Sequence, residues 1–232
     1  MIESERDLEY IAFLRGDLYG MLALGFSPPT LSSLSLLEKD FILKLKEAKE
    51  IFLSVFFEKG TRKFQTFFRK NKNKSRDKLV MELSLEYNRL FVGPYHPKAL
   101  PYESVYRGDY LMGKETLDVL EFYRKSNLEI SPEFKDLPDH IAAELEFMKY
   151  LCIEEGGAFK SNLEKAFEFL MREESFLSKH LSLWIGDFCR RIASSTTEFY
   201  LSLAEIAPRF ISLDKTYVSS LAFELGRMEI KK

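Results

Sequence analysis

Residues 176–192 read FLSKHLSLWIGDFCRRI, and the spacing of their large apolar side chains decides the fold class. Leu177, Leu181, Trp184 and Phe188 recur every three or four positions, the repeat that gathers side chains on one face of an α-helix. Ile192, Thr196, Phe199 and Leu203 carry the stripe onward. The same spacing appears as Ile11, Leu14, Leu18 and Leu22, as Leu79, Leu83, Tyr87 and Leu90, and as Ile141, Leu145, Met148 and Cys152. No stretch alternates with the period of two that a half-buried strand requires. The expectation is an all-α chain, a single compact bundle of roughly nine or ten helices.

Breakers divide the pattern. The first helix stops near Gly25 and Pro28-Pro29, and residues 30–57 read as one or two helices capped by Ser32 or Ser33. The segment RKNKNKSRDK (69–78) reads as a solvated turn, too polar and too like-charged to fold on itself. The Leu79–Leu90 helix ends at Gly93-Pro94, and residues 93–113, with three Gly and three Pro, form the longest irregular stretch. A short helix follows over 116–125. Residues 126–138 (SNLEISPEFKDLP) read as a hinge-like linker before the C-terminal helices. Pro208 is expected to interrupt the last helical pattern, leaving a final segment over 213–228. With no internal repeat, residues 1–232 are read as one domain.

With 232 residues, 46% of them hydrophobic and 30% charged, the chain can bury a large core. Its 21 Phe and 11 Tyr must fill that core or line a groove. Cys152 and Cys189 have no metal-ligand spacing, and the three histidines form no H-E-x-x-H, so neither a metal nor a disulfide framework is expected. The N-terminus is acidic where a secretory leader is basic, and no apolar run reaches the roughly 18–20 residues that span a bilayer. A cytoplasmic protein without membrane insertion is the expectation.

Charge is unevenly spread. Residues 58–78 carry nine Lys/Arg against Glu58 and Asp77, whereas residues 82–174 carry 19 Asp/Glu against 11 Lys/Arg. An acidic region of that size attracts basic ligands and repels phosphate backbones. The basic segment is the best argument for nucleic acid, but Phe64, Phe67 and Phe68 follow core-facing helical spacing and no reading motif accompanies them.

Residues 86–107, EYNRLFVGPYHPKALPYESVYR, resemble the TorD/DmsD/NarJ family: a helix ending E-Y-x-x-L-F-V-G-P, a proline-spaced loop, then P-Y-E-S-V-Y. LPDHIAAELEFM (137–148) is similar to the family's hinge and the helix after it, with Asp136 holding the acidic place upstream. Residues 176–192 and FYLSLAE (199–205) resemble its penultimate helices. The likeness covers roughly residues 80–205. It implies a helical chaperone, not an enzyme and without a cofactor, that binds the twin-arginine signal peptide and the apoprotein of a molybdopterin oxidoreductase. Such a chaperone assists cofactor insertion and delays export. Weak guanine-nucleotide binding is implied by the resemblance only, since no phosphate loop is present.

A twin-arginine leader offers two guanidinium groups and an apolar stretch, so its receptor needs carboxylates beside an apolar trough. Asp136, Asp139 and Glu144 supply carboxylates, and His140, Glu144 and Phe147 share a helical face. By itself Asp139 reads as a helix N-terminal carboxylate; the resemblance makes it a ligand candidate. Tyr87, Phe91, Tyr102 and Tyr106 cluster around Pro94 and the other prolines as rigid aromatic anchors, and Glu103 faces either Arg107 or a ligand arginine. The alternatives are a hydrolase built on Asp139 and His140, which lacks a nucleophile motif, and a nucleic-acid module using residues 58–78. A monomer with a minor dimer, swapped about the linker, is the expected assembly.

Overall fold

The computed structural model describes residues 5–52, 58–93, 97–108 and 110–229. Helix α1 (Glu5–Gly25) buries Ile11, Leu14, Leu18 and Leu22 and lies along α8 (Ile141–Phe159), which buries Ile141, Leu145, Met148 and Cys152. Small residues let the two backbones approach: Gly156 faces the Phe13 ring, which a Cβ there would meet at 2.9 Å. Helix α2 (Leu31–Leu36) starts with a reciprocal cap in which Thr30 Oγ1 accepts from the Ser33 N–H and Ser33 Oγ accepts from the Thr30 N–H. The cap is thus Thr30, with Ser33 as its partner. A π-helical turn (Leu37–Phe41) runs on into α3 (Ile42–Ile51).

Helix α4 (Glu58–Asn71) and α5 (Arg76–Tyr87) are joined by a tight turn. The expected solvated segment 69–78 is therefore mostly helical. Only the residues up to Ser75, which caps α5, form the turn, because each flanking helix has a buried apolar face to hold it. A second π-helical turn (Asn88–Val92) prolongs α5 and closes when Gly93 N–H donates to Asn88 O at 2.6 Å. Gly93 takes φ +38°, which a side chain would resist. Then come α6 (Ser104–Arg107), α7 (Lys114–Lys125), α9 (Leu163–Lys179), α10 (Leu181–Ile192) and α11 (Glu198–Glu229). Counting runs that continue through a π-turn once, the described residues hold ten helices and no strand, an all-α bundle as the spacing predicts.

Two expectations about the C-terminal third are corrected. Leu177 to Phe188 is not one helix, because the backbone breaks at His180 (φ −127°, ψ −96°). Pro208 does not interrupt: α11 runs through it. A mid-helix proline forfeits one N–H bond, and here Ile206, Ala207, Phe210 and Ile211 are all buried around it, so packing outweighs the loss.

One continuous apolar core runs from α1 to α11, and Leu128 and Ile130 of the linker pack back against it. At the meeting of α1, α8, α9 and α11 sits Arg15, fully buried. Its Nε donates to Asp214 at 2.5 Å, its Nη1 to Glu155 at 2.6 Å and its Nη2 to Glu173, while Tyr19 donates to Asp214 at 2.6 Å. One guanidinium cannot balance three buried carboxylates, and burial holds Glu173 well above, and Glu155 above, the usual carboxylate range, so bound protons make up part of the balance. Cys152 stands beside this cluster with its thiol likewise pushed up by burial. No helix among the described residues is long and apolar enough to cross a membrane.

Candidate functional site

The two motif segments, far apart in sequence, are clasped. Glu103 N–H donates to Asp139 O at 3.0 Å and Ile141 N–H to Pro101 O at 2.8 Å, an isolated antiparallel bridge pairing Tyr102 with His140. Asp139 then reaches across the clasp: its Oδ2 accepts from the Ser104 N–H at 2.9 Å, at the start of α6. Its own helix, α8, is capped by His140, whose Nδ1 accepts from the Ala142 N–H at 3.1 Å. Burial lowers the His140 pKa, opposed by Asp136 and Asp139, so the ring is held neutral with its proton on Nε2, 3.8 Å from Asp136.

Outside the clasp, Tyr102 donates to Asp136 Oδ1 at 2.6 Å and sets its ring edge-on to His140. Inside it, Glu103 accepts from Arg107 and lies 2.8 Å from His180 Nδ1. Trp184 Nε1 donates to Glu144 Oε2 at 3.1 Å. Burial first, then the Glu103 charge, push Glu144 well above its ordinary range, so Glu144 keeps its proton.

Tyr102, Glu103, Tyr106, Asp136, Asp139, His140 and Glu144 thus come together where α6, the linker and α8 meet. Glu103, Asp139, Glu144 and His140 are buried and act on the surface only through what they position. Asp136 is exposed, and Tyr102 and Tyr106 are half-buried. Tyr87 and Phe91 lie in the core, ring to ring at 5.0 Å. Pro94 falls outside the described residues. Of the acidic residues in 82–174, six of those described are buried (Glu86, Glu103, Asp139, Glu144, Glu155 and Glu173), so the surface is less acidic than the residue count suggests.

Sequence reasoning missed a cavity of about 300 Å³ beside this junction. Tyr123, Leu128, Ile130, Phe134, Ala142 and Phe147 line it, with Glu129 and Glu146 at its polar edge. The signal was present as three large apolar residues inside a segment read as a plain linker. Sequence reasoning also missed His180 and Trp184, whose roles depend on partners 77 and 40 positions away.

The alternatives find little geometric support. The recorded polar contacts of the His140 ring are the Ala142 N–H and Asp136, with no hydroxyl or thiol among them. Much of the basic 58–78 segment is spent on ion pairs: Lys59 and Lys63 with Glu205, Lys70 with Glu198, Lys74 with Glu82 and Arg76 with Glu38.

Residues 55–190, more than half of the chain, match the family model described as nitrate reductase delta subunit. The chain belongs to this family. As a member of the nitrate reductase delta subunit family, it is 32% identical over 155 residues to a chaperone protein TorD of Vibrio atlanticus, covering 64% of this chain and 70% of that one. It is 27% identical over 130 residues to a selenate reductase assembly chaperone protein of Thauera selenatis (55% and 65%). It is 30% identical over 104 residues to a chlorate reductase assembly chaperone protein of Ideonella dechloratans (45% and 51%). The matches thus take in between 51% and 70% of these relatives' own length. The family match contains the whole clasp, while Arg15 and Asp214 lie outside it.

Proposed function

We propose that this chain is a cytoplasmic maturation chaperone, acting without catalysis, that grips the twin-arginine leader of a molybdopterin oxidoreductase and its apoprotein. Residues 1–232 would work as one domain in that role. The observation that carries the reading is the adjacency of an exposed carboxylate to an apolar cavity. Asp136 stands two residues from Phe134, which lines the cavity and sets its ring 6.0 Å from His140. A guanidinium bound at Asp136 and Tyr102 leaves the following apolar residues beside that cavity, so charge orients the peptide and burial holds it. Two or three leucine-sized groups contribute about 1.5–3 kcal/mol each before the cost of ordering the peptide, enough for micromolar binding.

The buried acids have a separate part. Asp139, Glu103 and Glu144 fix the clasp, and the clasp fixes the spacing between Asp136 and the cavity. The names of the family relatives support the chaperone role. Weak guanine-nucleotide binding rests on family analogy alone. Calorimetry with a leader peptide tests the reading: Asp136→Asn and Phe134→Ala should each weaken binding several-fold at unchanged melting temperature. Equal binding by both folded variants would place the leader elsewhere.

A further inference from the structure

Tyr106 is the outer member of an aromatic stack. Its ring lies 5.5 Å from that of buried Trp184 at 29° from parallel, with Phe188 edge-on at 6.2 Å. The exposed Arg191 lies over the same ring, 4.7 Å from its centroid. One position earlier, Arg190 pairs with Asp187 across a turn of α10. Val105, Tyr106, Asp187, Arg190 and Arg191 line one cavity of about 290 Å³.

An aromatic face and a carboxylate side by side are the two groups that a guanidinium seeks: one for cation–π contact, the other for charged hydrogen bonds. Here both are already taken, and by two consecutive arginines. The last turn of α10 favours positive charge, which accounts for cations at 190 and 191. It does not account for one of them covering Tyr106 while the other takes Asp187.

We propose that Tyr106, backed by buried Trp184, and Asp187 form a second guanidinium-binding subsite that the chain's own Arg191 and Arg190 occupy until an arginine of a ligand peptide displaces them. This rests on the leader-binding reading above and adds what covers the subsite in the free protein. Tyr106 lies in α6, which starts two residues after the clasp residue Tyr102, so the subsite adjoins the clasp. The internal pair acts as a competitor: a free cation gains little by exchange, whereas the second arginine of a peptide already held at Asp136 and by its apolar stretch exchanges at high local concentration.

The test is a calorimetric titration of a synthetic peptide, Arg-Arg followed by an apolar stretch, into wild type, Arg191→Gln and the double variant Arg190→Gln/Arg191→Gln. Both side chains are exposed, so the variants should fold, and melting curves verify it. Removing an exposed cation–π competitor should tighten binding about two- to five-fold. Adding Tyr106→Leu to Arg191→Gln should abolish the gain. Emission from Trp184, the one tryptophan of the sequence, should change on binding to wild type. Wild-type binding with no tightening in either variant overturns the subsite and leaves the leader reading standing. No binding by any of the proteins overturns both.

Discussion

Asp139 and Ser104 are joined by a single hydrogen bond, carboxylate to backbone N–H at 2.9 Å, that ties the hinge to the start of α6. The hinge aspartate thus caps a neighbouring helix, while the adjacent His140 caps its own.

Asp139→Ala should therefore lower stability by about 1–3 kcal/mol, the range for a buried charged hydrogen bond or cap. Asp139→Asn keeps an acceptor oxygen and should cost less. Urea denaturation measures both. An alanine variant as stable as wild type would mean the bond contributes nothing.

Arg15 stands at the opposite extreme of burial. Arg15→Met removes the one guanidinium shared by Glu155, Glu173 and Asp214 and should cost about 3–5 kcal/mol at neutral pH. The loss should shrink as pH falls and the stranded carboxyls take up protons. Denaturation of the variant at pH 7 and pH 5 compares the two conditions directly, and an equal loss at both would contradict this account.

Two glutamates should give the stability profile opposite slopes. Glu144 has a folded pKa raised well above 4.5, so its folded form keeps a proton that the unfolded chain has lost. Stability from it is present at low pH and falls as pH rises above 4.5 through that raised value. Glu86 runs the other way: burial raises its pKa, but bonds from Arg89, the Thr196 N–H and Ser195 outweigh that and bring it to about 2. Its contribution is present above 4.5 and lost as pH falls toward 2. Glu144→Gln should flatten the alkaline slope and Glu86→Gln the acid one; thermal melts across pH 2–9 would show either slope surviving its substitution.

Light scattering should find a monomer with a minor dimer, exchanged about residues 126–138. Shortening that linker by two or three residues should change the dimer fraction. A large obligate oligomer would contradict the expectation.

The long helices were legible because each buries one face, and a buried face leaves its period in the sequence. Ile141, Leu145, Met148 and Cys152 are all fully buried, as their spacing predicts. The break at His180 left no such trace, since His180 is engaged by Glu103 from 77 positions away. Pro208 misled for the converse reason: a local rule about lost hydrogen bonds carries no information on how firmly α11 is packed. At the site, the motifs located the clasp but not the depth of its residues. Asp136 and Asp139 look alike in a count of charges, yet one is exposed and the other sealed under α6, because only Asp139 meets the Ser104 N–H.

Arg15 and Asp214 are 199 positions apart. A chain leaving the ribosome presents α1 early, carrying a cation whose proper burial needs a carboxylate synthesised near the end. Docking α1 before Glu155 and Glu173 exist would leave the guanidinium without a partner in a dry interior, which is costly. Its last carboxylate, and the partner of Tyr19, arrives only when residue 214 has been made. Completion of this protein's interior is a post-synthetic event, set by the order in which its charges come into existence.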